Sequence, residues 1–158
     1  MRLISSIIAL VAASASVMAC GNNNKKGENM TSERMEQMVV EELKAIETGA
    51  QEPVAYINAE SYTQHNPGIA DGLDGLGAAL ANLAQAGIEM KYDTLHKVLG
   101  KGNFVLTVSE GYFGGVHTSY YDLFRIENGK IAEHWDVIEN ILPEAQRANS
   151  NGKFGFAE

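Results

Sequence analysis

An Asn-Gly pair between two apolar stretches most constrains what this chain can fold into. Residues 119–126 and 130–140 are rich in aromatic and β-branched side chains, and Asn128 and Gly129 lie between them. Such stretches favour β-strands, and Asn-Gly suits the positive φ angles of a hairpin turn. The sequence therefore predicts an antiparallel hairpin.

Polar groups interrupt both strands of this hairpin at alternate positions. Because successive strand side chains point to opposite faces, His134 and Asp136 share one face. The other face of that strand carries Ile131, Glu133, Trp135 and Val137. On the first strand, the residues that share a face are Tyr120, Asp122 and Phe124. Carboxylates and an imidazole among large apolar side chains indicate the wall of a pocket.

Two turns are compatible with this sequence, and they give different registers. A two-residue turn pairs Glu127 with Lys130 and sets Asp122 opposite Trp135. A three-residue loop with a left-handed Gly129 pairs Ile126 with Lys130 instead. That second register sets Phe124 opposite Ala132, Asp122 opposite His134, and Tyr120 opposite Asp136. We favour the second register, because it gathers the polar residues on one surface.

Helical patterns precede the strands. A first helix is predicted to begin at Thr31 or Ser32, either of which can cap it, and to end at Gly49. Pro53 suits the start of a short helix. Asp71 can cap a second long helix, which Gly87 ends.

From residue 88 onward the pattern indicates strands only. The four predicted strands are 89–99, 103–112, 116–126 and 130–140. Helices followed by a meander predict one α+β domain over residues 31–142, with the helices packed on one face of a curved antiparallel sheet. Residues 143–158 form a polar, loosely held tail in which Phe154 and Phe156 are candidates for docking onto the domain.

Composition limits the partners of this chain. Its 158 residues suit one domain, its formal net charge is −8, and its pI is near 5.0. No cluster of Lys and Arg could follow a phosphate backbone, so a nucleic-acid partner is not expected.

The N-terminal segment predicts export and a lipid anchor. Arg2 precedes an apolar run, 3–18, that is too short to span a bilayer, and the single cysteine, Cys20, follows it. Residues 17–20, VMAC, resemble the lipobox of bacterial lipoproteins, which implies cleavage after residue 19 and acylation of Cys20. Residues 20–30 then form a flexible tether. An ordinary secretory signal, cut after residues 13–15 or at Ala19, is the alternative.

Four separated motifs resemble one known group. They are YTQHNPG at 62–68, GLDGL at 72–76, YDLFR at 121–125 and NGKIAEHWDV at 128–137. In this order they are similar to the SnoaL-like polyketide cyclases of the NTF2-like superfamily. The resemblance implies a cone-shaped α+β barrel, often a homodimer, in which helices and a curved sheet enclose an apolar cavity.

The resemblance also implies roles for individual residues. It places an acid/base role at Asp136 and pocket positions at His65 and His134, which together form the predicted catalytic group. The predicted ligand-binding residues are Tyr120, Asp122, Phe124, Gln64, Asn66 and Trp135. No cofactor and no metal are expected, because the histidines and carboxylates lack close ligand spacing in the sequence.

Two classes of function are consistent with these residues. An enzyme would bind a small apolar carbonyl compound and transfer a proton next to the carbonyl, as in aldol-type or isomerase-type reactions. A binding protein would hold a small hydrophobic ligand at the cell envelope without catalysis. A structural role in the envelope is a third alternative.

Overall fold

The computed structural model describes residues 30–49 and 53–156. The predicted signal peptide, Cys20 and the tether up to residue 29 lie outside the described residues. The helices are α1 (Ser32–Thr48) and α2 (Gly72–Gln85), with 3₁₀ turns at Pro53–Tyr56 and Glu144–Gln146. The strands are β1 (Thr63–Gln64), β2 (Met90–Lys101), β3 (Phe104–Phe113), β4 (Val116–Glu127) and β5 (Lys130–Asn140). None of the helices described is both long and apolar enough to cross a membrane.

Helix α1 begins and ends where its capping residues predict. The Thr31 hydroxyl accepts a hydrogen bond from the Arg34 N–H at 3.3 Å, and Gly49 adopts the left-handed conformation with φ 67°. These contacts satisfy groups that a helix leaves unpaired at its ends. The buried face of α1, which includes Met38 and Val39, packs against β2 and builds the core.

Helix α2 is joined to β1 through its cap. Asp71 Oδ1 accepts from the Gly72 N–H and also from the Gln64 N–H, both at 2.9 Å. Gly75 lies so close to Ala70 that an added Cβ would stand 1.9 Å from the Ala70 carbonyl oxygen. Only glycine at position 75 allows the preceding loop to come this close to the helix.

The strands form one open sheet in the order β1-β5-β4-β3-β2. The four long strands pair as an antiparallel meander, and their bounds agree with the predicted ones to within two residues. Within the described residues nothing pairs β1 with β2, so the sheet does not close into the barrel that the resemblance implies. The sequence pattern missed β1, whose two residues pair parallel to Glu133 and His134 of β5.

The predicted register of the hairpin is wrong. Glu127 pairs with Lys130 across a two-residue turn, with Asn128 at φ 51° and Gly129 at φ 75°. The register then shifts between Ile126 and Arg125, because Ala132 forms a bulge. Beyond the bulge the pairs are Phe124–His134, Asp122–Asp136 and Tyr120–Ile138. Neither sequence alternative includes this bulge, and Asp122 faces neither His134 nor Trp135 directly.

The bulge also changes which side chains enter the core. Simple alternation places Ile131 on the face of Glu133 and Trp135, yet Ile131 is buried in the core beside Ile126. One extra residue reverses the alternation, so Ile131 on one side of the bulge and His134 on the other point to the same interior. The bulge therefore makes the two-residue turn compatible with a polar inner face of the hairpin.

Part of the tail lies against β2. The Phe154 ring stacks on His96 with centroids 4.3 Å apart, and Lys97 lies over the ring of Phe156. Docking of Phe154 and Phe156 agrees with the contact that the sequence suggested for this tail.

Replacing Gly129 by Ala should destabilise the domain by about 1 kcal/mol, because a Cβ is unfavourable at positive φ. Gly77 lies in α2, and a Cβ there meets nothing within 4 Å. Gly77→Ala is the matched control and should stabilise by about 0.5–1 kcal/mol through helix propensity. Denaturant unfolding measures both; equal effects of the two substitutions would contradict the turn geometry.

Candidate functional site

The inner face of the hairpin brings together most of the predicted site. Asp122 and His134 are almost completely buried, and Asp136 is partly buried. One potential ligand atom from each of these three residues lies within 4.8 Å of the other two. The Phe124 ring stacks on His134 with centroids 4.6 Å apart, and Tyr120 is fully buried beside Tyr92. Tyr120, Asp122, His134 and Asp136 thus share one surface, as predicted, although their strand partners differ.

Both ring nitrogens of His134 have partners. The Gln64 amide nitrogen lies 3.4 Å from His134 Nδ1, and His134 Nε2 lies 3.2 Å from Asp122 Oδ1. The Gln64 amide oxygen accepts from the Asn66 N–H at 3.0 Å, so its NH₂ group points to the imidazole. Nδ1 is therefore an acceptor, and the proton of neutral His134 lies on Nε2, where it is donated to Asp122. His134 is a positioning residue in this arrangement, since neither nitrogen is free for a ligand.

Among the residues that the structure describes, one side chain from the loop after β1 holds Asp136. Asn66 Nδ2 lies 2.9 Å from Oδ1 and 2.8 Å from Oδ2 of Asp136. The Asn66 amide oxygen accepts from the Gly68 N–H at 2.8 Å, which orients the NH₂ group towards the carboxylate. Each carboxylate oxygen keeps a further lone pair, so Asp136 can still accept a proton or a hydrogen bond from a ligand.

A pocket of about 450 Å³ opens beside Asp136, between α2, the loop before it and the ends of the strands. Its apolar lining includes Ile69, Leu83, Met90, Phe113 and Ile138. Its polar side chains are Asn66, Asn82 and Asp136, and none of the described Lys or Arg residues lines it. An apolar cavity with a few convergent polar groups is typical of a small-molecule site.

Burial controls the electrostatics behind the pocket. Burial raises the pKa of Asp122, while the hydrogen bond from His134 opposes that shift. Asp122 Oδ2 has no hydrogen-bond partner among the described residues. Burial, with a smaller contribution from Asp122, also raises the pKa of Tyr120 to about 12. The interior behind Asp136 thus favours uncharged forms of its acids.

The structure places two predicted site residues on the opposite side of the sheet. His65 is exposed and stacks on Trp135 with centroids 4.2 Å apart and planes within 3°. His65 Nε2 also lies 2.9 Å from Glu133 Oε2, and Arg125 Nε donates to Glu133 Oε1 at 2.6 Å. Hydrogen bonds from His65 and then Arg125 lower the pKa of Glu133.

The prediction that His65 lies within reach of Asp136 is therefore wrong. Gln64 and His65 are consecutive residues of an extended segment beside β5, so their side chains point to opposite faces. Gln64 enters the interior next to His134, and His65 joins Trp135 outside. Trp135, predicted to bind ligand, does not line the pocket beside Asp136.

Asp122, His134 and Asp136 are the residues in the described part of the chain that could hold a metal ion. Coordination through His134 Nε2 requires that this nitrogen be unprotonated. Gln64 instead sets the tautomer with the proton on Nε2, and Asn66 donates to both oxygens of Asp136. This donor set suits proton transfer better than metal binding.

Sequence reasoning missed one buried carboxyl group. Glu42 of α1 is 1% exposed, and neither of its carboxyl oxygens has a hydrogen-bond partner among the described residues. Burial raises the pKa of Glu42 to about 7. In the sequence, Glu42 stands four residues after Met38 and three after Val39, which places it on the same helix face as these apolar residues. This spacing was the signal that could have predicted its burial.

Comparison with known proteins supports the same architecture. The family described as SnoaL-like domain matches residues 39–134. No curated protein matches the sequence.

Several solved structures share the fold. TsrD from Streptomyces laurentii is 20% identical, with 70% of this chain and 91% of that chain covered and a TM-score of 0.54. A candidate ketosteroid isomerase from Kribbella flavida is 11% identical, with 78% and 94% covered and a TM-score of 0.59. A candidate SnoaL-like polyketide cyclase from Shewanella denitrificans is 13% identical, with 66% and 90% covered and a TM-score of 0.54. Others are described as NTF2-like proteins. At these identities the similarity concerns the fold.

Glu42 should make stability depend on pH. Because its pKa in the folded protein lies above the ordinary value of 4.5, its stabilising contribution is complete below about pH 4.5 and is lost as pH rises through about 7. A shift of this size corresponds to roughly 3 kcal/mol. Between pH 5 and 8.5 the wild type should therefore lose stability relative to Glu42→Gln, as measured by denaturant unfolding. Glu47→Gln, at an exposed position of the same helix, should follow the wild type. Parallel curves for all three proteins would contradict the prediction.

Proposed function

Because the chain belongs to the SnoaL-like domain family, we propose that its pocket binds a small apolar carbonyl compound and that Asp136 transfers a proton next to the carbonyl group. The observation that carries this proposal is the position of Asp136, a carboxylate oriented by Asn66 at the wall of a largely apolar pocket. A carboxylate in such a place is a typical general base.

The reaction requires a base that removes the proton and an oxygen atom on which the negative charge can develop. Asp136 accepts a proton from the carbon next to the carbonyl, the C–H electron pair moves into the new double bond, and negative charge develops on the carbonyl oxygen. Return of the proton from the same carboxyl group to a different carbon of the conjugated enolate gives isomerisation, and return of a solvent-exchanged proton to the original carbon gives exchange. If the enolate carbon instead attacks a second carbonyl carbon of the ligand, a C–C bond forms and the Asp136 carboxyl group gives its proton to the resulting alkoxide, which completes an aldol-type ring closure. His134 and Gln64 act through position, since their polar atoms are engaged with Asp122 and Asn66.

Binding without catalysis is the second candidate function. The evidence that favours it is that both oxygens of Asp136 already accept hydrogen bonds from Asn66, while the pocket lining is mainly apolar. In this case Asp136 and Asn66 orient a small hydrophobic ligand, and no proton leaves its carbon.

Deuterium exchange distinguishes the two functions. In D₂O, the wild type should speed deuterium incorporation next to the carbonyl of 1-tetralone, a small bicyclic ketone, as followed by NMR. Asp136→Asn should lower the enzymatic rate by roughly two to four orders of magnitude, the contribution of a positioned base. The affinity of Asp136→Asn for 1-tetralone should stay within about tenfold of the wild-type affinity, since the amide still forms hydrogen bonds.

The matched control is Asp93→Asn, which removes an exposed carboxylate from β2. Exchange in this variant should equal that of the wild type. Binding of 1-tetralone without accelerated exchange in the wild type would favour the binding protein over the enzyme.

We also propose that the protein acts outside the cytoplasm, attached to the membrane of a bacterial cell envelope through acylated Cys20. The apolar run, the sole cysteine at its end and the polar residues after it support this location. Such a location argues against a role in polyketide biosynthesis, whose intermediates are held inside the cell. The homodimer implied by the family resemblance stays a prediction.

Cys20→Ala should release the protein from the membrane. The wild type should incorporate labelled palmitate and partition into the detergent phase, because several acyl chains at about 0.8 kcal/mol per buried methylene hold it there. Full membrane association of the Cys20→Ala protein would exclude the lipid anchor.

A further inference from the structure

Helix α2 forms one wall of the pocket beside Asp136. The residues of α2 that line this pocket recur at intervals of three and four, so they share one face of the helix. They are Gly75, Ala78, Ala79, Asn82 and Leu83. Asn82 is the polar residue of this face, and the small side chains one turn before it leave room for a ligand.

A second wall of the same pocket comes from the sheet. Asp136 and Ile138 stand two positions apart on β5, so their side chains leave the strand on one face. Both line the pocket, together with Met90 and Phe113. A ligand that fills the pocket therefore meets the amide of Asn82 on the helix wall and the carboxylate of Asp136 on the sheet wall.

The other donors near Asp136 are already engaged. Asn66 Nδ2 lies 2.9 and 2.8 Å from the two oxygens of Asp136, and the Asn66 amide oxygen accepts from the Gly68 N–H. The Ile69 N–H donates to the Asn66 carbonyl at 3.1 Å. An ionised carboxylate such as Asp136 can only accept. Within the described residues, Asn82 is thus the pocket side chain that can donate to an oxygen atom of a ligand.

The side chain of Asn82 is available for such a bond. Its backbone carbonyl accepts from the Ala86 N–H at 3.0 Å, whereas its side-chain amide forms no hydrogen bond to the described residues. Asn82 is exposed and lines the pocket, so it stands at the opening through which a ligand enters. Its NH₂ group carries two donor hydrogens.

We propose that Asn82 donates the hydrogen bond that holds the carbonyl oxygen of a neutral ketone in this pocket. The inference rests on the proposed function, in that it assigns a partner to the carbonyl oxygen of the same ligand. It adds a second ligand-contacting side chain, from α2, to the carboxylate of β5.

The two side chains have complementary tasks in the proposed reaction. Asp136 takes the proton from the carbon next to the carbonyl, the C–H electron pair forms the new double bond, and the carbonyl oxygen gains negative charge. Asn82 keeps its protons and donates a hydrogen bond to that oxygen throughout. The bond strengthens as the charge develops, so Asn82 stabilises the transition state more than the bound ketone.

The charges around the pocket favour a neutral ligand. None of the described Lys or Arg residues lines it, so the carboxylate of an acidic ligand would find no countercharge there. Asp136 would in addition repel such an anion. A ketone among apolar rings suits both the amide of Asn82 and the apolar lining.

The experiment uses three variants and two probes. Asn82→Leu removes hydrogen bonding, and Asn82→Asp keeps the size of the side chain but loses both donor hydrogens. Gln85→Leu is the matched control, because Gln85 is an exposed amide of α2 that does not line the pocket. The probes are 1-tetralone and tetralin, which has the same rings without the carbonyl oxygen. NMR titration gives the affinities, and deuterium exchange into 1-tetralone gives kcat and KM.

The ratio of the affinities for 1-tetralone and tetralin measures the hydrogen bond itself. In Asn82→Leu this ratio should fall by about fivefold, the worth of one hydrogen bond, and in Gln85→Leu it should stay unchanged. Asn82→Leu should unfold at the denaturant concentration of the wild type or a higher one, since Leu has the better helix propensity. Partial unfolding therefore does not account for the change.

The kinetics test the same bond in the transition state. Asn82→Leu should lower kcat for exchange by at least about tenfold, less than the roughly hundredfold to thousandfold effect of a well-placed oxyanion donor, because water reaches the exposed amide. KM should rise by no more than about fivefold, because the bond is stronger in the transition state. Asn82→Asp should lose at least as much activity, since its carboxylate repels the developing charge. Gln85→Leu should keep the wild-type values.

Three results would overturn the proposal: no binding of 1-tetralone by the wild type, an unchanged affinity ratio in Asn82→Leu, or equal effects of Asn82→Leu and Gln85→Leu. Failure of the proposed proton transfer is a different result. It would appear as an absence of deuterium exchange in the wild type, while the affinity ratio still falls in Asn82→Leu.

Discussion

The pairing of two residues, Thr63 and Gln64, with the middle of β5 is the contact on which the site depends. It is parallel and short, and it continues in the hydrogen bond from the His65 N–H to the His134 carbonyl at 2.9 Å. Through it Gln64 lies beside the imidazole, and Asn66 reaches the carboxylate of Asp136. Without this pairing, the loop would not hold the amide groups that orient both residues of the hairpin.

The second constraint is that two buried carboxyl groups lack hydrogen-bond partners for some or all of their oxygens. Asp122 shares one oxygen with His134 and leaves the other unpaired, and Glu42 leaves both unpaired. Since buried carboxylates are costly, burial raises the pKa of both Asp122 and Glu42. An interior of this kind gives up stability for functional groups, which is common where a protein binds or converts a small molecule.

The two faces of the sheet have separate chemistry. The inner face holds Asp122, His134 and Asp136 behind an apolar pocket. The outer face carries His65, which stacks on Trp135 and contacts Glu133, and Arg125, which pairs with the same Glu133. Alternation along extended segments divides neighbouring residues between these surfaces. Adjacent polar residues in the motif at 62–68 therefore do not form one site.

The sequence by itself determined the fold class, the bounds of most elements and the shared face of Tyr120, Asp122, His134 and Asp136, because caps, turns and alternation are local. Gly49, Asp71 and the Asn-Gly turn act within a few residues of where they stand. Tertiary structure alone decided the bulge at Ala132, the pairing of β1 and the position of His65 on the outer face of the sheet. The pairing of β1 and the position of His65 depend on segments far apart in the chain, and the contact of Gln64 with His134 joins residues seventy positions apart. Local periodicity does not show which distant segments will meet, since these long-range contacts form only once the helices and the sheet have packed together.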